Sequence, residues 1–437
     1  MATAEMAATR APSQSQILAA TVASLLGWGL DLFDLFILLY VAPVLGTLFF
    51  PSHSPTLSLA SVYASFAITL LMRPVGSGVF GNYADRHGRK AAMVIAVTGV
   101  GLVTALLGAL PTFPQVGILA PIIFLIVRLA QGVFVGGVVA STHTIGTETL
   151  PANWRGLGSG LIGGGGAGIG ALIASIAFAV WSGVFPGPAF AEWGWRFMFF
   201  TGILSTLLGL FVFRTLEESP LWAQKKKQEG VQKSPLGTLL KSEHRNTLLV
   251  NLLIVAGGGT AYYLTSGYLP TFLNVVLKVP PATTSPILIV SSALIIFAAM
   301  FFGQLSQWIG RKTAFLVIGV IDLIVIPLGY LQFGATPASN LGAVWFWAMV
   351  LTICGNAAYA PVMVFLNERF PTAIRASGTG LSWNIGFAIG GMMPTFVTGS
   401  AASVADIPGR LAVFVGVLML IYLAGSMVVP ETKGKLQ

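Results

Sequence analysis

Gly81-Asn-Tyr-Ala-Asp85-Arg86-His-Gly88-Arg89-Lys90 returns 222 positions later, from 81 to 303, as Gly303-Gln-Leu-Ser-Gln307-Trp308-Ile-Gly310-Arg311-Lys312. A second pair, Glu148-x-x-Pro151-x-x-x-Arg155 and Glu368-x-x-Pro371-x-x-x-Arg375, recurs at nearly the same offset, from 148 to 368. A third echo sets Glu218-Ser-Pro220 against Pro430-Glu431-Thr432. Repetition on this scale means that one unit is used twice. Long apolar runs flank each basic cluster. Of 437 residues, 55% are hydrophobic and only 8% charged, against about 25% charged in a soluble domain. Charged and Pro/Gly breaks delimit twelve such runs, the first near 17–43 and the last near 409–428. Each is long enough for a helix to cross a hydrocarbon layer roughly 30 Å thick. Six runs lie on each side of the one long polar stretch, which holds Lys225, Lys226, Lys227, Lys233, Lys241 and Arg245. The expected fold is therefore an all-α membrane protein with twelve transmembrane helices in two pseudo-symmetric six-helix bundles. The bundles cover 1–213 and 247–437, and 214–246 forms a cytoplasmic linker.

A net charge of +9 does not point to nucleic acid, because the basic residues are spread over short loops and form no single patch. Counted from a cytoplasmic N-terminus, Arg86, Arg89, Lys90, Arg155, the linker, Arg311, Lys312, Arg369, Arg375, Lys433 and Lys435 all fall on one side, and Lys278 stands almost alone on the other. This positive-inside asymmetry puts both termini in the cytoplasm of a multi-pass cytoplasmic-membrane protein. Cys354 has no partner cysteine for a disulfide or a thiolate metal site, and neither metal nor cofactor is expected. The first 14 residues offer no cleavage site, so no cleaved signal is expected.

The decade Gly81 to Lys90 resembles the G-x-x-x-D-R-x-G-R-K loop of the major facilitator superfamily, and the match is complete. Arg73-Pro74-x-Gly76, Arg128-Leu-x-Gln131-Gly132 and Glu217-Glu218-Ser219-Pro220 resemble its metabolite:proton and sialate:proton symporters. Gly27-Trp28-x-x-Asp31-x-Phe33-Asp34-x-Phe36 is most similar to the sialate and lactate branch. The resemblance covers nearly the whole chain. It implies alternating access in a monomer, with protons as the coupling ion. Two departures stand out. The group commonly carries a glutamate after the Gly-Gly of span four, where this chain reads Gly136-Gly137-Val138. The His, Gln and Asp of the lactate-permease seventh span are absent from 251–272, although Tyr268-Leu-Pro270-Thr271 resembles the usual exit from that span.

Ionisable residues inside a bilayer cost about 2.5–3.5 kcal/mol or more and mark functional sites by default. Asp31 and Asp34 lie three residues apart, on one face of span one. Two carboxylates this close resist being charged together, so the pair can hold a proton; the alternative is that they pair with Arg128 to join helices. Arg73 lies about 12 residues before Asp85, roughly 18 Å into the membrane at 1.5 Å per residue. Its planar guanidinium suits a substrate carboxylate, with a permanent ion pair as the alternative. Arg128 is a candidate for the substrate site, a gate or a proton relay. Tyr262, Asn356 and Asn384 are candidates to line the pathway, joined by Tyr263, Tyr268 and Trp383; an interfacial aromatic belt explains Tyr268 equally well, and core packing is the alternative for Trp383. Asp322 is the second-half acid, best read as a structural hydrogen-bonding group, and His143 is read as structural.

The loop residues have mechanical roles. Asp85 caps a helix or pairs with Arg86 or Arg155, and with Arg89 and Glu148 these form a candidate gate. Because Gln307 replaces the aspartate in the second repeat, the latch is expected to be stronger on one side. Gly156, Gly160, Gly164 and Gly168 give span five a smooth ridge for close helix contact. Span five lacks the Gly-Pro step of the superfamily's drug:proton antiporters, and no nucleophile triad or metal cluster suggests an enzyme. The reading is proton-coupled symport of a small organic anion, with a monocarboxylate such as lactate or pyruvate favoured and sialic or aromatic acids as alternatives. Topology is checked by thiol labelling of intact cells. A cysteine placed in the 51–58 loop should react from outside, one placed in 214–246 should not, and a labelled linker refutes the orientation.

Overall fold

The computed structural model describes residues 14–87, 89–203, 206–207, 210–211, 244–370 and 375–435; within these, the side chains of 16, 78, 81–87, 89–93, 139–149 and 375–377 lie outside the description. In chain order the helices are α1 (Gln14–Phe49), α2 (Pro55–His87), α3 (Arg89–Ala109), α4 (Leu119–Thr149), α5 (Ala152–Val184), α6 (opening at Trp195–Phe200), α7 (His244–Val276), α8 (Pro281–Ile309), α9 (Arg311–Gly334), α10 (Leu341–Arg369), α11 (Arg375–Ser400) and α12 (Ile407–Val428). Nine of these, among the described residues, are long and apolar enough to cross a membrane. Several run past the apolar stretches that announce them. α2 continues into the Gly81–Lys90 decade, because a helix can carry its i→i−4 ladder out of the hydrocarbon into a polar turn.

Three of the described helices depart from regular α geometry along their length, and a further π-turn at Phe190–Gly194 leads into α6. α5 passes through a π-turn at Leu161–Gly165. α7 does so at Tyr263–Gly267 and again at Phe272–Val276. α10 breaks between Tyr359 and Val362, where Pro361 has no N–H to give. Such widened turns are common at functional sites. Here the first π-turn of α7 begins at Tyr263, directly after Tyr262, and both rings are fully buried.

Within the first half, α1 packs on α2, α4 and α5, and α3 packs on α4 and α6. The second half repeats the scheme, with α7 against α10, α11 and α12, and α9 against α10 and α12. The halves meet along two seams, α2 on α11 and α5 on α8. Glycine makes the second seam possible. A Cβ on Gly303 of α8 would stand 2.5 Å from the Gly156 carbonyl oxygen and 3.0 Å from the Gly160 Cα. One on Gly168 would stand 2.6 Å from Ile296 and 3.0 Å from the Ser292 carbonyl. The glycine ridge read from the sequence is thus the face that α8 lies against.

The basic-loop end of the second half is tied by ions. Arg311 is fully buried and grips Glu368 with two bonds of 3.0 Å, Nε to Oε2 and Nη2 to Oε1. It also donates to Ser306 and Gln307, each at 2.7 Å. Thr432 donates to Glu368 at 2.9 Å. Glu431 accepts backbone N–H bonds from Arg311, Lys312, Thr432 and Lys433 at 2.8–3.1 Å, capping the start of α9. Burial raises its carboxyl pKa, but these four donors outweigh burial and hold it below the usual value.

If the α5–α8 seam needs bare backbone, Gly160→Leu should force the halves apart at a cost of about 1–3 kcal/mol or more and abolish transport. Gly183→Leu, with nothing within 4 Å, should change neither the thermal midpoint nor transport. Equal behaviour of the two variants in thermal unfolding and uptake would refute this role for the seam.

Candidate functional site

Four charged side chains meet inside the first half: Asp31 at 4% exposure, Asp34 at 2%, Arg73 at 2% and Arg128 at 1%. α1 supplies the acids, α2 and α4 the arginines. No described lysine, arginine or carboxylate of the second half joins them. Arg73 Nη1 stands 3.5 Å from Asp31 Oδ2, so the substrate-binding arginine of the sequence reading holds an ion pair in this structure. For Asp31 the pairing differs from the sequence alternative that joined one or both acids to Arg128, whereas Asp34 does lie in the field of Arg128. Arg73 and Asp31 sit on adjacent, directly packed helices, whereas Arg128 is drawn into a network that ends on Asp34.

That network begins where Arg128 Nη1 donates to Gln131 Oε1 one turn along α4. Gln131 Nε2 donates to the Thr104 hydroxyl on α3 at 2.7 Å. Thr104 can then give its own O–H to Asp34, which also lies in the field of Arg128. A relay of Arg128, Gln131, Thr104 and Asp34 thus orients the second carboxyl. The packing is tight at this level. A Cβ on Gly202 of α6 would stand 2.7 Å from Thr104 and 3.3 Å from Asp34 Oδ1. Asp34 Oδ1, Arg73 Nε and Arg128 Nε have no hydrogen-bond partner, unusual for groups so deeply buried.

Across the interface the second half presents aromatic rings and neutral amides. Tyr262 stacks on Tyr359 at 4.9 Å, Trp383 stacks on Phe387 at 4.2 Å, and Tyr263 meets Phe387 edge-on at 5.5 Å. Trp28 of α1 reaches Trp383 at 5.9 Å and donates to the Gly163 carbonyl in the α5 π-turn at 2.9 Å. Tyr263 and Tyr359 are close enough to interact electrostatically with Arg73 and Asp31. The hydroxyls of Tyr262 and Tyr263 and the Oδ1 atoms of Asn356 and Asn384 make no hydrogen bond. Asn356 donates from Nδ2 to Ser266 at 2.9 Å and to the Thr352 carbonyl at 2.8 Å. These contacts leave its Oδ1 as the spare acceptor.

Other residues fall elsewhere. Tyr268 is fully buried and stacked on Tyr63 at 5.4 Å, which rules out the interfacial-belt reading. Asp322 of α9 is buried against Cys354 of α10 and near Tyr422 of α12. Arg155 donates from Nε to the Leu150 carbonyl at 3.3 Å. The side chains of Asp85, Arg86, Arg89, Glu148 and His143 lie outside the described residues. Of their repeat counterparts, Arg311 stands in the aligned decade and Glu368 in the second repeated pair, yet no pairing between them was assigned. Gln307, in place of the aspartate, donates to the Ala152 carbonyl at 3.4 Å, a neutral tie between the halves. Sequence reasoning also passed over Tyr359 and Phe387, for which the Tyr359-Ala-Pro361 break was the one available signal.

At the end of the helices away from the basic loops, hydroxyls join the halves. Tyr63 bonds Thr271 at 2.8 Å, Thr56 donates to the Ala401 carbonyl at 3.2 Å, and Tyr40, Ser175 and Ser292 form a chain of 2.5 and 3.0 Å.

Comparison with known proteins bears on what such a site serves. A family model described as Major Facilitator Superfamily matches residues 17–395. Among curated relatives, the inner membrane metabolite transport protein YhjE of Escherichia coli K12 is 30% identical over 86% of each chain. The glycine betaine/proline/ectoine/pipecolic acid transporter OusA of Dickeya dadantii is 29% identical over 95% of this chain and 84% of its own. The proton:xylose symporter XylE shares the fold at a TM-score of 0.72 and 18% identity, covering 96% of this chain and 97% of its own. These relatives are metabolite and betaine carriers, so the likeness to the sialate and lactate branch is carried no further than the superfamily.

The Asp31–Arg73 pair predicts an asymmetry. A stranded carboxyl can take up a proton, but a stranded guanidinium cannot lose one. Asp31→Asn should therefore lower the thermal midpoint of the purified protein more than Arg73→Gln does, with up to about 3–5 kcal/mol at stake for breaking a buried pair. The reverse order would refute the pairing.

Proposed function

This chain belongs to the Major Facilitator Superfamily, and from that premise we propose that it is a proton-coupled symporter of a small carboxylate-bearing solute in the cytoplasmic membrane, with both termini inside. One observation carries the reading: the centre holds two acids and two arginines, all buried, whose charges cancel. A solute carboxylate entering between the halves competes with Asp31 for the Arg73 fork. The displaced Asp31 cannot stay charged cheaply in a medium of low dielectric, so it takes a proton. Loading of solute and loading of a proton then become one event. Release on the other side reverses it: the carboxylate leaves, Asp31 loses its proton and regains Arg73. Asp34, oriented by Thr104 and Gln131, is the second proton site. Tyr262, Asn356 and Asn384, with Tyr263 and Tyr359, supply spare hydroxyl and amide groups and ring faces to the body of the solute.

A second reading concerns that body. Trp28, Trp383, Tyr359, Tyr262 and Phe387 form a continuous aromatic wall opposite Arg73. Ring faces attract an ammonium group by about 0.5–2 kcal/mol, which favours a zwitterion with its carboxylate on Arg73 over a simple monocarboxylate. The solutes in the name of the Dickeya relative are of that kind.

The test is uptake of radiolabelled glycine betaine, L-proline, L-lactate and pyruvate into proteoliposomes, with and without an inward pH gradient. At least one solute should accumulate only with the gradient. Asp31→Asn should abolish the gradient's effect while leaving solute exchange at equilibrium within a fewfold of the unmodified protein. Preference for betaine or proline supports the zwitterion, preference for lactate or pyruvate the simple anion. Accumulation that ignores the gradient refutes coupling.

A further inference from the structure

We propose that protons reach Asp34 and Asp31 through a cavity inside the first half, apart from the path that the solute takes between the halves. This rests on the coupling reading above. The cavity is lined by Gly27, Leu30, Val97, Val100, Val138 and Thr206, with Asp31 and Asp34 in its wall, and it is large enough to admit water. The lining comes from α1, α3, α4 and α6 only. Among the described residues, none of α2, α5 or the second half lines it.

Helix register gives its direction. The level of Asp34 is fixed by Thr104 on α3, Gln131 on α4 and Gly202 on α6. Val100 and Val97 lie one and two turns from Thr104 toward the basic-loop end. Val138 lies two turns from Gln131 in the same direction, Thr206 one turn from Gly202, and Gly27 one turn from Asp31. Every wall residue is displaced toward the same end. At the level of Asp34, α3 and α6 close on each other glycine to threonine at Gly202–Thr104. Phe80, Ala96, Val97 and Val138 form a small apolar cluster along one flank.

The charged and titratable groups around the acids are Arg73 on α2, Arg128 on α4, and Tyr263 and Tyr359 across the interface. None of them lies in the cavity wall. Among the described residues of the wall, a proton entering on water therefore meets Asp34 or Asp31 as the first base. It leaves the hydronium for a carboxylate oxygen, forming one O–H bond and breaking another. Walls of glycine, leucine and valine hold water weakly, so the passage can empty and fill. A path of this kind lets the proton depart to the basic-loop side without following the solute.

The test needs no solute. A rapid pH drop on the purified protein, followed by infrared spectroscopy, should raise a protonated-carboxyl band that is missing or reduced in Asp34→Asn and Asp31→Asn. In Val138→Phe, which fills the cavity, the band should grow at least tenfold more slowly. As an arm that does not depend on that variant folding, Val138→Cys in a Cys354→Ala background should react with 2-aminoethyl methanethiosulfonate in inside-out vesicles and not in right-side-out ones. Unchanged band growth in Val138→Phe, or labelling of the cysteine from neither side or from the opposite side alone, overturns the route and leaves coupling standing. Absence of the band in the unmodified protein overturns coupling, and the route with it.

Discussion

A charge in hydrocarbon has to be answered by another charge nearby, and Asp31 with Arg73 is where this protein meets that constraint. Neither residue is tolerable alone at that depth. Together with Asp34 and Arg128 they form a neutral group, and a neutral group can be opened only by something that restores neutrality as it enters. The rest of the centre follows. α1, α2 and α4 must pack closely enough to keep the four charges together, which is why α1 and α4 surround α2 within one half. α3 must bring Thr104 to Asp34, because an acid without a cation at contact distance needs a donor.

The two halves have diverged from a common plan. In the first, buried charge lies at the centre. Among the described residues, the buried ion pair of the second half lies at the basic-loop end, where Arg311 and Glu368 are locked by Ser306, Gln307 and Thr432, while the face this half turns to the first half's charges is aromatic and amide. A body that moves against another works best when one carries the chemistry and the other offers a compliant surface. Rings and amides tolerate small shifts of a bound solute better than a salt bridge does, because stacking has a broad geometric optimum. The α5–α8 seam supports such movement with bare backbone in contact and few side chains to disengage.

Much of this was legible before the coordinates. The repeated decades and the deficit of charge gave twelve helices in two halves, and the four-residue spacing of Gly156, Gly160, Gly164 and Gly168 gave a ridge for close contact, though not that α8 is the helix lying on it. The rarity of ionisable residues in apolar runs singled out Asp31, Asp34, Arg73 and Arg128. Their pairing was not legible, since it depends on rotation about helix axes and a turn of one residue swings a side chain by about 100°. Tyr359 and Phe387 were missed because an aromatic residue in an apolar run looks like any other lipid-facing or core residue. The π-turns of α7 at Tyr263–Gly267 and Phe272–Val276 leave no mark in a window read for a 3.6-residue period. Val138 illustrates a different limit. The sequence registers only that a glutamate common in similar carriers is missing there, and the fold puts that position in the wall of the cavity that holds the two acids.

The ties that shut the end away from the basic loops, Tyr63 to Thr271, Thr56 to Ala401 and the Tyr40–Ser175–Ser292 chain, contain no ion. An electric field does negligible work on neutral hydroxyls, whereas one elementary charge carried across 100 mV is worth about 2.3 kcal/mol. Membrane potential therefore does negligible work on these ties, and in the proposed mechanism it acts on the net charge of what the centre carries. A carboxylate crossing with one proton moves no net charge and ignores the potential; a zwitterion crossing with one proton carries a positive charge inward and is driven by it. The same neutral seal leaves the cell's electrical state to decide how steeply one solute is concentrated and another merely equilibrated with the pH gradient.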